Sequence, residues 1–258
     1  STDRTYEIAC EVLPAGPDCE ILRDPDPVWH EMAQRQRMLD AARKLGATHV
    51  ATIDADELLT GNLLPDIREM IEILSPGEVL QLPWIAARNG AVYIADGVDP
   101  FVTTAFKEDP SFHWNAELHN GYDFHRRHPF SRGGFQNFSF PLRTPDLGGM
   151  FHLQFLSERR LLAKHALYQM QEAIRWPGMY LGNEDPHATA KVAALYEHTV
   201  ERLRRPGELM GQGWWEPYQD LLKYADFGAE PWQVAECRKL YAEYGGAKFA
   251  GLNLFGIV

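Results

Sequence analysis

His49-Val50-Ala51-Thr52-Ile53-Asp54-Ala55-Asp56-Glu57 is the stretch on which the reading of this chain turns. Its first five residues are nearly uncharged and rich in β-branched side chains, the composition of a buried central strand. The strand then runs into Asp54, Asp56 and Glu57. In open α/β sheets ligands bind beyond the carboxyl ends of strands, which is where these carboxylates fall. Residues i and i+2 of an extended chain project to the same side, so Asp54 and Asp56 are placed to converge on one cation. Hard oxygen ligands suit Mg²⁺ or Mn²⁺ rather than a thiophilic metal. Clustered carboxylates repel one another without such a cation, a further reason to expect a site. The alternative is a solvated acidic turn that caps the next helix, since an isolated Asp-x-Asp is a weak pattern.

Working outward, helical and extended patterns alternate through the first half, the order of an α/β domain with a mostly parallel sheet. Ser1 to Glu11 opens with helix-capping residues and predicts a helix, and Cys19 to Leu22 reads as a short strand. Val28 to Leu45 carries Met32, Leu39, Ala42 and Leu45 at helical spacing and stops at Gly46. Leu63 to Leu74 reads as a helix. Val79 to Ile85 and Ala91 to Ile94 read as a strand pair around Arg88-Asn89-Gly90. From Phe101 to Phe151 the pattern weakens into short aromatic segments, irregular strands and loops able to shape a pocket. Met150 to Phe155 reads as a strand, and Ser157 to Trp176, Ala188 to Arg205 and Pro231 to Tyr244 as helices. Residues 1–156 are therefore expected to form the α/β core and 157–258 a helical carboxyl-terminal region packed on it.

The 258 residues are enough for one large domain and a sizeable core. No apolar run approaches the roughly 18 residues of a membrane span. With 25 Lys+Arg against 36 Asp+Glu, the net charge of -11 repels a phosphate backbone, so nucleic acid is not an expected partner. Cys10, Cys19 and Cys237 have neither a disulfide-framework count nor metal-type spacing, and no basic-then-apolar leader follows Ser1. A reducing cytoplasm is the expected setting.

Ser1-Thr2-Asp3-Arg4-Thr5, a helix, a strand, a helix containing Arg35, and then Ala47 through Glu57 resemble the family 2 glycosyltransferases of the GT-A fold. There a first strand and helix lead into Asp-Asp-Gly-Ser-Thr-Asp-x-Thr, and a hydrophobic strand ends in Asp-x-Asp or Asp-Ala-Asp-Glu. The likeness extends from about Ser1 to Ile85. Phe106-Lys107 before His119, and His152 on a strand before a helix with Lys164 and Tyr168, are similar to the family less specifically.

The resemblance implies a GT-A-like, Rossmann-like sheet flanked by helices, a UDP-sugar or related nucleotide-sugar donor, Mn²⁺ or Mg²⁺, and a carbohydrate or other hydroxyl acceptor. It also implies a hexosyltransferase-type reaction with inversion. Asp56 would hold the cation on the donor diphosphate, Asp54 would touch the ribose or a metal-bound water, and His152 would be the last ligand from the far side. Asp3 would lie in the nucleoside-contacting loop, and Glu117 is the candidate base for the acceptor hydroxyl. The family's first strand and helix are missing here, roughly the 30 residues of one βα unit and its loop. The chain is thus expected to lack its amino end and part of the nucleoside pocket, and to expose a sheet edge open to another chain.

Other readings compete. A strand ending in Asp-x-Asp also resembles haloacid-dehalogenase-like phosphatases, with Asp54 as nucleophile and Asp56 as general acid, but Leu58 stands where that motif has Thr or Val. A non-catalytic carbohydrate- or nucleotide-binding module would keep the fold without the chemistry. His113, His119, His125 and His128 suggest zinc without a matching spacing. Arg35 and Arg37 offer guanidinium groups to a phosphate, with a solvated helical face as the alternative. Trp214-Trp215 are open between sugar stacking and packing, and Trp232 is expected in the core. Lys164 and Tyr168, one turn apart, share a helical face.

Overall fold

A computed structural model describes residues 4–13, 16, 19–23, 31–76, 78–88, 92–94, 101–111, 136–139, 147–175, 196–201, 208–221 and 228–258. In chain order the elements are α1 (Thr5–Val12), α2 (Glu31–Lys44), β1 (His49–Ala51), β2 (Glu57–Leu59), α3 (Ile67–Glu72), β3 (Glu78–Arg88) and β4 (Val92–Ile94). They continue with β5 (Phe101–Lys107), β6 (Gln136–Ser139), β7 (Met150–His152), α4 (Glu158–Arg175), β8 (Glu208–Leu209) and α5 (Trp232–Tyr244). Residues 196–201 are helical. The chain is of mixed α/β class and divides into two compact units interleaved in sequence. One holds Ser1–Thr52, Asp66–Gln81 and Thr103–Ser139, the other Ile53–Pro65, Leu82–Val102 and Phe140–Val258.

In the first unit, α2 forms where Met32 and Leu39 recur at helical spacing, and both are buried with Val79 and Phe106. Each such side chain removed from water contributes about 1.5–3 kcal/mol. The helix stops at Gly46, whose φ of +77° suits a residue without Cβ, while the Ala47 N–H donates back to the Ala42 carbonyl. β1 pairs antiparallel with β5, Val50 opposite Phe106. Here two expectations are corrected. Among the described residues β1 pairs with β5 alone and stands at the end of the strand order, and its residues are half-buried or exposed, so it is not the buried central strand expected. The β-branched run signals a strand but does not say how many neighbours it has. Among the described residues Cys19 makes only an isolated bridge to Gly16 and residues 20–22 pair with no strand, so the expected strand from Cys19 to Leu22 is not formed there: a four-residue run between Pro/Asp-rich segments offers few ladder hydrogen bonds.

In the second unit β7 runs between β2 and β3. It is antiparallel to β2, with Glu57 opposite His152, and parallel to β3, with Ala86 opposite His152. The β3–β4 pair follows the expected hairpin, Arg88 opposite Val92, and β4 pairs antiparallel with β8. Strand pairing is therefore mixed rather than mostly parallel: β3 has parallel neighbours in β6 and β7, β1–β5, β2–β7 and β4–β8 are antiparallel, and the short link between β3 and β4 imposes an antiparallel pair there. Phe101 to Lys107, read as irregular, is a seven-residue strand.

α4 begins where the Ser157 hydroxyl accepts the Arg160 N–H at 3.3 Å, a cap without the reciprocal acidic partner. Its buried Ala166, Leu167, Met170 and Ala173 pack with Cys237 of α5 and with Phe249. α5 ends at Gly245, φ +78°, whose N–H donates to the Tyr241 carbonyl. Trp214 is buried and Trp215 half-buried, both with edge-on contacts to Phe151. They serve packing. Trp232, expected in the core, is 67% exposed because it occupies the first, outward turn of α5. The three thiols are free, and among the described residues no helix is long and apolar enough to cross a membrane.

Candidate functional site

The turn Asp54-Ala55-Asp56 links β1 to β2, and Glu57 closes it. The Glu57 N–H donates to the Asp54 carbonyl at 3.0 Å, and the Asp54 N–H donates back to Glu57 Oε2 at 3.0 Å. Glu57 Oε1 accepts the indole N–H of Trp84 at 3.1 Å. A carboxylate only 3% exposed thus has both oxygens occupied by donors, which is how burial of that group is tolerated. The three acidic residues therefore separate in role: Glu57 turns inward and fixes the turn, while Asp54 is half-buried and Asp56 stays 40% exposed.

Sheet register delivers His152. Glu57, His152 and Ala86 lie side by side across three strands, and Trp84, two residues before Ala86, shares their face. The Trp84 and His152 rings stack with centroids 4.6 Å apart and planes 14° off parallel, while Phe155 meets the imidazole edge-on at 6.0 Å. The Asp56 carbonyl accepts the Leu153 N–H at 2.8 Å, tying the turn to the end of β7. His152 Nε2 then lies 3.5 Å from Asp56 Oδ2, and Lys164 Nζ of α4 lies 3.1 Å from the same oxygen. The His152 imidazole and the Lys164 ammonium hold the Asp56 carboxyl well below the ordinary carboxylate range, although its partial burial pushes the other way. Asp56 is ionised at neutral pH.

Of the residues named from sequence, the structure brings Asp56 and His152 together and adds Lys164. Among the described residues no three His, Cys, Asp or Glu side chains converge as a metal centre, so Asp54 is not joined to that pair. Arg35 lies in the first unit, buried in an ion pair with Glu31 at 2.7 Å, one turn earlier on α2. Asp3, Glu117, His113, His119, His125 and His128 fall outside the described residues. A divalent cation would find acceptable donors in the pair: donors adjacent on one octahedral ion at 2.0–2.1 Å stand about 3 Å apart, close to the 3.5 Å observed. Asp56 and His152 would hold it.

Trp84, Glu57 and Lys164 carry no strong signal of these parts in the sequence. Trp84 is one apolar residue in an apolar strand, and period-2 alternation alone hints that Trp84 and Ala86 share a face. A comparison with family models, with curated proteins and with solved structures finds no match to this chain.

Proposed function

We propose that the second unit carries a metal-dependent glycosyltransferase site, GT-A-like in its winding, which moves a sugar from a nucleotide-sugar donor to an acceptor hydroxyl with inversion. The observation that carries the reading is the meeting of Asp56 and His152 at 3.5 Å. The family resemblance names these two as cation ligands, and they come from distant parts of the sequence. UDP-sugars are the favoured donors, a carbohydrate hydroxyl the acceptor, and the cytoplasm the setting.

In this mechanism Asp56, kept ionised, and His152 would hold Mn²⁺ or Mg²⁺, and Asp54 would serve the ribose or a water of the site. Such a cation, when bound, would supply neutralisation of the charge that develops on the departing diphosphate. Trp84 keeps the imidazole plane fixed, and Glu57 keeps the turn fixed, so little reorganisation is needed when the donor arrives. The bond from the sugar's anomeric carbon to the diphosphate breaks with its electron pair leaving on phosphate oxygen. A bond to the acceptor oxygen forms on the opposite face, and the acceptor proton passes to a carboxylate, proposed as Glu117.

The phosphatase alternative asks Asp56 to donate a proton, which a carboxyl depressed by an imidazole and an ammonium is poorly suited to do at neutral pH. A binding module would bind donor and release nothing. Incubating the protein with UDP- and GDP-sugars, with and without Mn²⁺, tests all three. The expected product is nucleoside diphosphate formed only with Mn²⁺, without inorganic phosphate. Phosphate released from a simple phosphomonoester would replace this reading by the phosphatase, and affinity without product would replace it by the binding module.

A further inference from the structure

Lys164 is the feature of the site that a cation-binding reading does not by itself require. Its Nζ sits 3.1 Å from Asp56 Oδ2, the oxygen that also faces His152 Nε2 at 3.5 Å. An ammonium therefore stands where a cation shared by Asp56 and His152 would exert its charge. In the same position Nζ also lies 5.6 Å from the ring centroid of Tyr168, one turn further along α4, and that residue is 43% exposed. The lysine stem is flexible, with its head group a compact point charge that bonds phosphate oxygens well. The Lys164 side chain is 24% exposed, so the head group is within reach of a ligand arriving at the site.

We propose that Lys164 is a positioning residue that occupies Asp56 while no donor is bound and transfers to a phosphate oxygen when the donor arrives with its cation, linking the two binding events. This deepens the nucleotide-sugar reading and rests on it. The charge balance gives the reason. Without ligand, the Asp56 carboxylate and the Lys164 ammonium cancel. A divalent cation arriving alone meets a carboxylate already neutralised, with a like charge held against the same oxygen, and repulsion at this range is poorly screened in a partly buried site. A cation that arrives with a diphosphate supplies negative oxygens, and the ammonium exchanges one anionic partner for another while the cation takes Asp56. Metal alone should therefore bind weakly, and nucleotide should strengthen it. By linkage, metal strengthens nucleotide by the same factor.

The test is titration of Mn²⁺, followed by its paramagnetic resonance signal, with and without saturating UDP, in the wild-type chain, Lys164→Met and Lys164→Arg. In the wild type UDP is expected to raise Mn²⁺ affinity by tenfold or more. Lys164→Met is expected to bind Mn²⁺ alone several-fold more tightly and to lose most of the enhancement by UDP. Lys164→Arg keeps the charge and is expected to keep lone Mn²⁺ weak, which controls for damage to α4. A Met variant that binds Mn²⁺ alone no better than wild type, with the enhancement intact, overturns the linkage while leaving the site reading standing. A wild-type chain whose Mn²⁺ affinity is indifferent to UDP overturns the site reading itself, and this is seen before any variant is compared.

Discussion

Trp84 lies flat against the imidazole of His152, ring centroids 4.6 Å apart, while its indole N–H donates to the buried carboxylate of Glu57 at 3.1 Å. One side chain thus orients the candidate ligand by its face and satisfies the turn-closing acid by its edge. The arrangement follows from register, because Glu57, His152 and Ala86 are cross-strand partners and Trp84 is two residues from Ala86. Its two functions are separable by substitution.

Trp84→Phe retains a ring for His152 and removes the donor to Glu57. Taking away that donor is expected to cost about 1–3 kcal/mol in urea denaturation, with Mn²⁺-dependent UDP binding nearly intact. Trp84→Leu removes the stack as well and is expected to weaken that binding by roughly tenfold or more, the usual effect of losing a group that orients a ligand. Equal binding losses in the two variants would contradict the division of roles.

Gly149 is packed too closely for a side chain. Its carbonyl accepts the Thr60 N–H and its N–H donates to the Thr60 hydroxyl, each at 2.9 Å, and a Cβ built there would collide with the Pro83 carbonyl. Gly149→Ala is therefore expected to destabilise the fold by more than about 2 kcal/mol, the scale of overpacking a core position. A melting temperature within a degree of wild type would contradict this close approach.

His165, buried beside Tyr196, has its pKa pushed down to about 4, first by burial and then by the neighbouring Lys164 charge. Its folded pKa lies below the unfolded value of about 6.5, so below that pH the unfolded chain binds more protons. Stability from this group is complete above the unfolded pKa and is lost as pH falls from about 6.5 toward 4. At about 1.4 kcal/mol per unit the loss is of order 3 kcal/mol. Denaturation midpoints at pH 7.5 and pH 5 are expected to differ less in His165→Gln than in wild type; an unchanged difference would exclude His165 as its source.

Much of this was legible where a local pattern suffices. Met32 and Leu39 mark α2, Gly46 its end, and the expected strand pair is present as β3 and β4, Arg88 opposite Val92. Asp56 and His152 were both nameable, one from a strand end and one from a resemblance. What the residues did not reveal depends on partners distant in sequence. Glu57 reads as a third exposed acid, and only the positions of Trp84 and the Asp54 N–H turn it inward. Lys164 reads as a helix-face cation, whereas its partner is Asp56, 108 residues away. Arg35 reads as a phosphate-facing or solvated helical cation, whereas it is buried and paired with Glu31. The half-exposed setting of β1, at the end of the strand order among the described residues, has the same origin, since β-branched residues suit edge and centre alike.

Asp56 and His152 are proposed to receive a cation that carries a nucleoside diphosphate. Calorimetric titration of UDP into the wild-type chain and into Asp56→Asn, with and without Mn²⁺, tests it most directly. Wild type is expected to bind only with Mn²⁺ and Asp56→Asn to lose that binding, with both chains equally folded by circular dichroism. Binding by Asp56→Asn that still depends on Mn²⁺ to the same degree would contradict it.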